Sequence, residues 1–395
     1  MVKEVSPTAA TTYYALGHLG DANIAVRQDR CIMVRNRNAG CAKCADACTS
    51  GCIAYQNGSL IVNKDKCIGC GTCATVCPTC AIEALNPSDS ELMNHAVNAG
   101  IKNGRIVVAA CENVLQNAGI DIQYDDPQAP WVQVVCLGRI DESFLAGMAE
   151  HGMKRVLLVH GMCETCEHKT GFEVVQRVCE TTNTLLEAWN VRFPVELIDE
   201  FPKGYASESL RDGKHQNAEK PCQKEPLLAQ EQTGSLPSGS QEKPHYLKVM
   251  ADGTLPHFIP DRRERLLNSL AALGEPKDAV LATRLWGHVE IDTQKCNSCR
   301  MCATFCPTGA ISKYSCADGS IGLEHYAGDC VKCLCCQNIC RPQALQVEDT
   351  VTTTDIVGGE AVKIPLNPVA ILKGTPAGMA QSMRALLGME EVFDR

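Results

Sequence analysis

Cys67-x2-Cys70-x2-Cys73-x3-Cys77-Pro78 places three thiols with two residues between neighbours, then a fourth set off by three residues and followed by proline. Cys296-x2-Cys299-x2-Cys302-x3-Cys306-Pro307 repeats the spacing. Cys330-x2-Cys333-x2-Cys336-x3-Cys340 repeats it again, with the proline one place later at Pro342. Three thiolates this close wrap one cube of iron and sulfide, and the fourth points away to ligate a neighbouring cube. Zinc motifs use two separated pairs of ligands, a different pattern. The runs therefore predict [4Fe–4S] clusters in crossed pairs, two runs to a pair.

The run nearest the N-terminus is irregular. Cys41-x2-Cys44-x3-Cys48-x3-Cys52 offers four thiols, but an internal repeat frames them differently. Cys77-Pro-Thr-Cys-Ala-Ile matches Cys306-Pro-Thr-Gly-Ala-Ile, Cys340-Arg-Pro-Gln-Ala-Leu is a looser copy, and Cys48-Thr-Ser-Gly-Cys-Ile falls in the same frame. Cys48 then stands where Cys77 stands, and Cys52 lands on an alanine position. The first ligand becomes Cys31, with Ile32–Gly40 inserted before Cys41. Cys31 and Cys52 are the two alternatives, and the repeat favours Cys31.

The regular runs are those of bacterial ferredoxins, and the first resembles multi-cluster ferredoxin subunits with an expanded first spacing. Crossed ligation then predicts four sets. Cys31, Cys41, Cys44 and Cys77 form one, and Cys48, Cys67, Cys70 and Cys73 its neighbour. Cys296, Cys299, Cys302 and Cys340 form a third, and Cys306, Cys330, Cys333 and Cys336 the fourth. Cys80, Cys179, Cys222, Cys316 and Cys335 fit no run and read as small apolar fillers or exposed thiols.

The elements that must position these ligands divide the 395 residues into blocks. We read a first α+β ferredoxin-like dicluster module over 1–100, a central α/β domain over 101–200, a flexible linker over 201–260, a second dicluster module over 261–350 and a tail over 351–395. The linker is rich in Gly, Pro, Ser, Gln, Lys and Glu without periodicity. It would make the two modules a wire with a movable joint. A short helix is expected at Met379–Leu387.

Composition narrows the function. A net charge of −9 with interspersed signs argues against nucleic acid as the main partner. No apolar run spans a bilayer, and residues 1–20 lack the features of an export signal. Twenty-six cysteines in an unexported chain point to metal ligation in a reducing cytoplasm rather than to disulfides. No Gly-x-Gly-x-x-Gly follows a strand, so no nicotinamide or flavin site is expected.

The central block alternates strands (Arg105–Ala110, Val132–Val135, Arg155–His160, Val191–Asp199) with helices (Glu112–Asn117, Glu142–His151, Gly171–Trp189), predicting a parallel sheet. Cys111, Cys136, Cys163 and Cys166 fall just past strand carboxyl ends, the edge where open α/β sheets bind ligands. They form a candidate fifth site, for a cluster or a zinc ion, or they are free thiols of a docking domain. His160 and His168 flank the motif and read first as structural histidines. Arg139 reads as a surface salt bridge, or as a residue that orients a partner carboxylate or tunes a cluster.

Cys136-Leu-Gly-Arg-Ile-Asp-Glu, Gly-Met-Lys-Arg-Val-Leu-Leu-Val-His-Gly, and then Cys163 and Cys166, resemble the delta (iron–sulfur) subunit of methyl-viologen-reducing hydrogenases over residues 105–190. The resemblance implies a [2Fe–2S] cluster passing electrons between a hydrogenase and heterodisulfide reductase. The chain departs from that pattern at Val114, where the family has a second cysteine, and in the tight Cys163–Cys166 spacing. The expected function is a cytoplasmic electron-transfer subunit, not catalytic alone. Its partner would be a hydrogenase, a formate dehydrogenase or a heterodisulfide-reductase-like enzyme. The alternative is an accessory factor maturing or reactivating a molybdenum or tungsten oxidoreductase.

Overall fold

The computed structural model describes residues 23–120, 129–202 and 249–367. Residues 1–20, Cys222, most of the expected linker and the Met379–Leu387 helix lie outside the described residues.

In the first module β1 (Ile24–Val26) pairs antiparallel with β4 (Ile82–Ala84), so the chain returns to its start. Between them β2 (Ile53–Gln56) and β3 (Ser59–Val62) form a hairpin. Its turn is Asn57-Gly58, both at positive φ, the pairing that suits the twist of a two-residue hairpin. Three short helices, α1 (Ile32–Arg35), α2 (Lys43–Asp46) and α3 (Thr72–Val76), accompany the cysteine runs. Ile53, Leu60, Ala74, Ala81 and Ile82 pack with the cysteines into a small core of their own.

α4 (Asp89–Lys102) follows, opened by a capping box in which Ser88 and Glu91 exchange hydrogen bonds. It places Leu92 and Ala96 in the central core. That core belongs to a four-stranded parallel sheet, ordered β6 (Val132–Val134), β5 (Ile106–Cys111), β7 (Arg155–Val159), β8 (Val195–Ile198). The runs of Val, Leu and Ala in β5 and β7 are almost wholly buried, as strands inside a parallel sheet require. α5 (Glu112–Asn117), α6 (Glu142–Glu150) and α7 (Thr170–Ala188) connect them. Strands and helices fall where the sequence placed them, within a few residues.

Past the undescribed stretch, residues 249–260 run along the second module, where Leu255 N donates to Thr304 O and Phe258 N to Pro307 O. α8 (Asp261–Leu273) then lies across α6, burying Leu266 and Leu270 against Ala146, Leu185 and Trp286. In the second module β9 (Val280–Ala282) will pair with β14, and β10 (His288–Ile291) precedes α9 (Met301–Phe305) and the hairpin β11 (Ile311–Ser315)–β12 (Ile321–His325). After α10 (Cys335–Asn338), β13 (Leu345–Glu348) closes back on β10, as β4 does on β1. β14 (Thr350–Thr352), α11 (Thr353–Ile356) and β15 (Val362–Leu366) complete it, β15 extending the hairpin sheet beside β12.

The joint between the modules differs from the expectation. Ile32 and Ala39 of the first module pack with Cys335 of the second, ringed by Met33, Cys41, Phe305, Cys333 and Ile339. Asn338 Nδ2 donates to Ala39 O at 2.5 Å. The insertion Ile32–Gly40 is the docking element, and apolar burial there fixes the pairing that a tether alone would leave free.

Candidate metal centres

Each regular run leads into a one-turn helix, so its later cysteines turn toward a common space while the first hangs from the preceding loop. In the first module, burial pushes the Cys44 thiol up to about 12, and the nearby thiols of Cys77, Cys41 and Cys31 push it the same way. Cys31 is likewise raised by burial, with Cys77 and Cys41 as its sulfur neighbours. These four form one group. Cys73 is raised by burial and then by Cys70, Cys48 and Cys67, which form a second group with it. Cys52 belongs beside that second group, its Sγ 3.4 Å from Cys48 Sγ, and its neighbours are Cys48 and Cys67.

The second module repeats the arrangement. Cys302 is raised by burial and by Cys299, Cys296 and Cys340. Cys336 is held far above its usual value by burial and by Cys333, Cys330 and Cys306. Cys306, Cys330, Cys333 and Cys336 line one cavity. Among the described residues no three or more His, Cys, Asp or Glu side chains converge on a single-ion position. The thiols of this fourth set stand around a space instead. A thiol must lose its proton to bind iron, so the raised values mean that loading these sites releases protons.

In the central domain, the chain leaves β5 toward one neighbour and β7 toward the other, so their carboxyl ends flank a topological switch point. A cavity opens there, lined by Cys111, Cys136, Cys163 and Cys166 together with His160 and His168. Burial pushes Cys136 up to about 12 and Cys163 to about 11. His160 Nδ1 bonds Gly161 O at 2.9 Å, while His168 Nδ1 is buried without a hydrogen-bond partner among the described residues. Val114, where the delta-subunit pattern has a cysteine, is buried in the central core. Asn113 faces the cavity in its place, accepting from Met162 N at 3.2 Å.

The five groups adjoin one another in a row. Cys136 of the central cavity has Cys70 as a sulfur neighbour, and Cys73 has Cys44. Across the module junction Cys335, 1% exposed, lies between Cys306 and Cys41. Within the second module Cys336 has Cys302 beside it. Gly171 and Gly138 permit the first of these approaches, since a Cβ on Gly171 would strike Cys136 Sγ and one on Gly138 would strike Thr72 Oγ1.

Three residues that the sequence reading passed over stand beside ligand candidates. Arg262 of α8 donates to Cys77 O at 2.6 Å, Thr75 O at 3.0 Å and Cys80 Sγ at 3.1 Å. Arg35 donates to Cys306 O at 3.1 Å and Arg263 to Cys330 O at 3.2 Å. Arg139 differs from the expected surface salt bridge: it is buried, paired with Asp89 at 2.5 Å and bonded to Pro87 O.

Residues 60–83 and 289–312 each match the family of 4Fe-4S binding domains, and residues 106–193 match the methyl-viologen-reducing hydrogenase delta subunit. No curated protein and no solved structure matches the chain. Among the described residues no helix is long and apolar enough to cross a membrane.

Proposed function

We propose that this chain, with two 4Fe–4S binding domains around a hydrogenase-delta-type domain, is the electron relay of a larger redox complex and is not catalytic alone. Its partner is a hydrogenase, a formate dehydrogenase or a heterodisulfide-reductase-like enzyme. The observation that carries this reading is the order of the five thiol groups, each within electrostatic reach of the next through Cys136–Cys70, Cys73–Cys44, Cys41–Cys335–Cys306 and Cys336–Cys302.

We assign four [4Fe–4S] clusters to the four crossed sets, with Cys31 rather than Cys52 completing the first. A [2Fe–2S] cluster belongs to Cys111, Cys136, Cys163 and Cys166. Such clusters, when bound, take up and release single electrons at potentials set by burial, charge and hydrogen bonds to sulfur. The protein's part is to hold the sites in contact, to keep water from the junctions, and to present the ends of the row to partners. The central cavity, beside the exposed Met162, is one such end.

Anaerobic purification with iron and zinc analysis tests the assignment. About 16 irons per chain are expected from four cubanes, and about 18 with the central site. Zinc in place of iron would overturn it. Co-purification with a catalytic oxidoreductase subunit supports the relay. Recovery only with an immature apoenzyme would favour the maturation role.

A further inference from the structure

A guanidinium taken out of water is costly unless an opposite charge offsets it, so a buried arginine without a carboxylate partner marks a place where another anion belongs. Two such arginines flank one thiol set. Arg35, 4% exposed, spends its hydrogen bonds on four carbonyls: Asp29 O at 3.1 Å, Pro256 O at 2.6 Å, Phe305 O at 3.4 Å and Cys306 O at 3.1 Å. Arg263, 6% exposed, lies 4.2 Å over the Trp286 ring and donates to Leu285 O and Cys330 O. Its Nη1 is buried with no hydrogen-bond partner among the described residues. Glu142 and Asp329 attract Arg263 only from beyond ion-pair distance. Burial pulls Arg263 down to about 10, which leaves it charged at neutral pH.

The other sets are treated differently. Arg262, beside Cys77, has its charge offset by Asp141 at 3.7 Å. The thiols of Cys296, Cys299, Cys302 and Cys340 have Arg300 and Lys313 near them, both half-buried and open to solvent screening. Buried positive charge without an ion-paired carboxylate thus stands at Cys306 and at Cys330, two of the residues lining the cavity of Cys306, Cys330, Cys333 and Cys336; Asp29 attracts Arg35, like Glu142 and Asp329 for Arg263, only from beyond ion-pair distance.

Resting on the relay reading above, we infer that Arg35 and Arg263 are positioning residues that raise the reduction potential of the centre held by Cys306, Cys330, Cys333 and Cys336, making it the most easily reduced position of the row. Reduction adds one negative charge to a site that is already anionic, and a fixed cation in a low-dielectric wall stabilises the added charge. Arg35 reaches this centre from the first module, so its share of the shift is present only when the two modules are docked. Electrons entering at either end would collect at the junction.

The test is EPR-monitored redox titration of the full-length, iron-loaded protein beside its Arg35→Met, Arg263→Met, Arg35→Lys and Arg263→Lys variants, with Cys336→Ser identifying the signal of this centre. Iron content is measured first on the wild type. Iron missing from this set there overturns the relay reading itself, before any variant is considered. With iron present, each Met variant is expected to lower that one midpoint by about tenfold in the one-electron equilibrium, about 59 mV. The other midpoints stay in place, and the Lys variants stay near wild type. Unchanged midpoints in both Met variants at full iron content would overturn the inference, leaving the arginines a purely structural role. Arg263→Met guards against loss of docking, because Arg263 makes its contacts without the first module's insertion.

Discussion

The two cysteine modules share one repeat, one pair of closing strands and one hairpin, yet they occupy opposite positions in the molecule. The first touches a neighbour on each side, through α3 to the central domain and through the Ile32–Gly40 insertion to the second module. The second keeps its repeat regular where the first is interrupted and instead lengthens its hairpin sheet with β15. At the junction, the first module's departure from the repeat is where it meets the second module. The regular spacing groups the thiols, and the Ile32–Gly40 insertion makes the contact with the second module.

The largest expected effect breaks the comparison at its origin. Cys31→Ser removes one cubane, about 4 irons per chain, while Cys52→Ser leaves the iron content unchanged. The reverse result would mean that the first run is not an expanded copy of the others. Next comes the contact between the first module and the central domain. Gly138→Ala drives a Cβ into Thr72 and the Gly171 backbone and is expected to cost about 2 kcal/mol in denaturant unfolding. Gly319→Ala, in the free hairpin of the second module, meets nothing and pays only for its left-handed φ, about 1 kcal/mol. Equal losses at the two glycines would deny the first module its special role.

A buried charge network ties the same contact to pH. Burial works against ionisation of Asp89, but Arg139, Arg265 and Arg262 prevail and hold its carboxyl down at about 2. A carboxylate depressed in the folded state stabilises above its unfolded value, near 3.8, and that stability drains away as pH falls toward 2. Asp89→Asn should cost about 1–2 kcal/mol at neutral pH, after allowance for partial exposure, and should flatten the acid limb measured by thermal unfolding. The smallest effect is at the module junction. Asn338→Ala removes the bond to Ala39 O and should cost about 1 kcal/mol, read as faster amide exchange in residues 37–40.

Much of this was legible in the sequence because it is local. Regular cysteine spacing dictates which thiols share a space, and the apolar runs 106–110 and 155–159 dictate a buried parallel sheet. Two helices went unread although their signals were present: Ser88 and Glu91 cap α4, and Pro260 and Gly274 bracket α8. Arg35, Arg139 and Arg263 were illegible for a physical reason. A charged side chain reads as solvated until something distant in sequence buries it: Phe305 and Cys306 for Arg35, Asp89 for Arg139, Trp286 and Cys330 for Arg263. The docked junction was hidden for the same cause, since its apolar residues, Ile32, Ala39 and Cys335, come from separate blocks.

The bond between Arg262 and Cys80 spans 182 residues of sequence. At an elongation rate of 5–20 residues per second, a ribosome needs roughly 9–36 s to make the chain between them. Throughout that interval the nascent first module stands without the helix that later covers Cys77 and Cys80. Synthesis itself thus leaves Cys77 and Cys80 uncovered until α8 has been made.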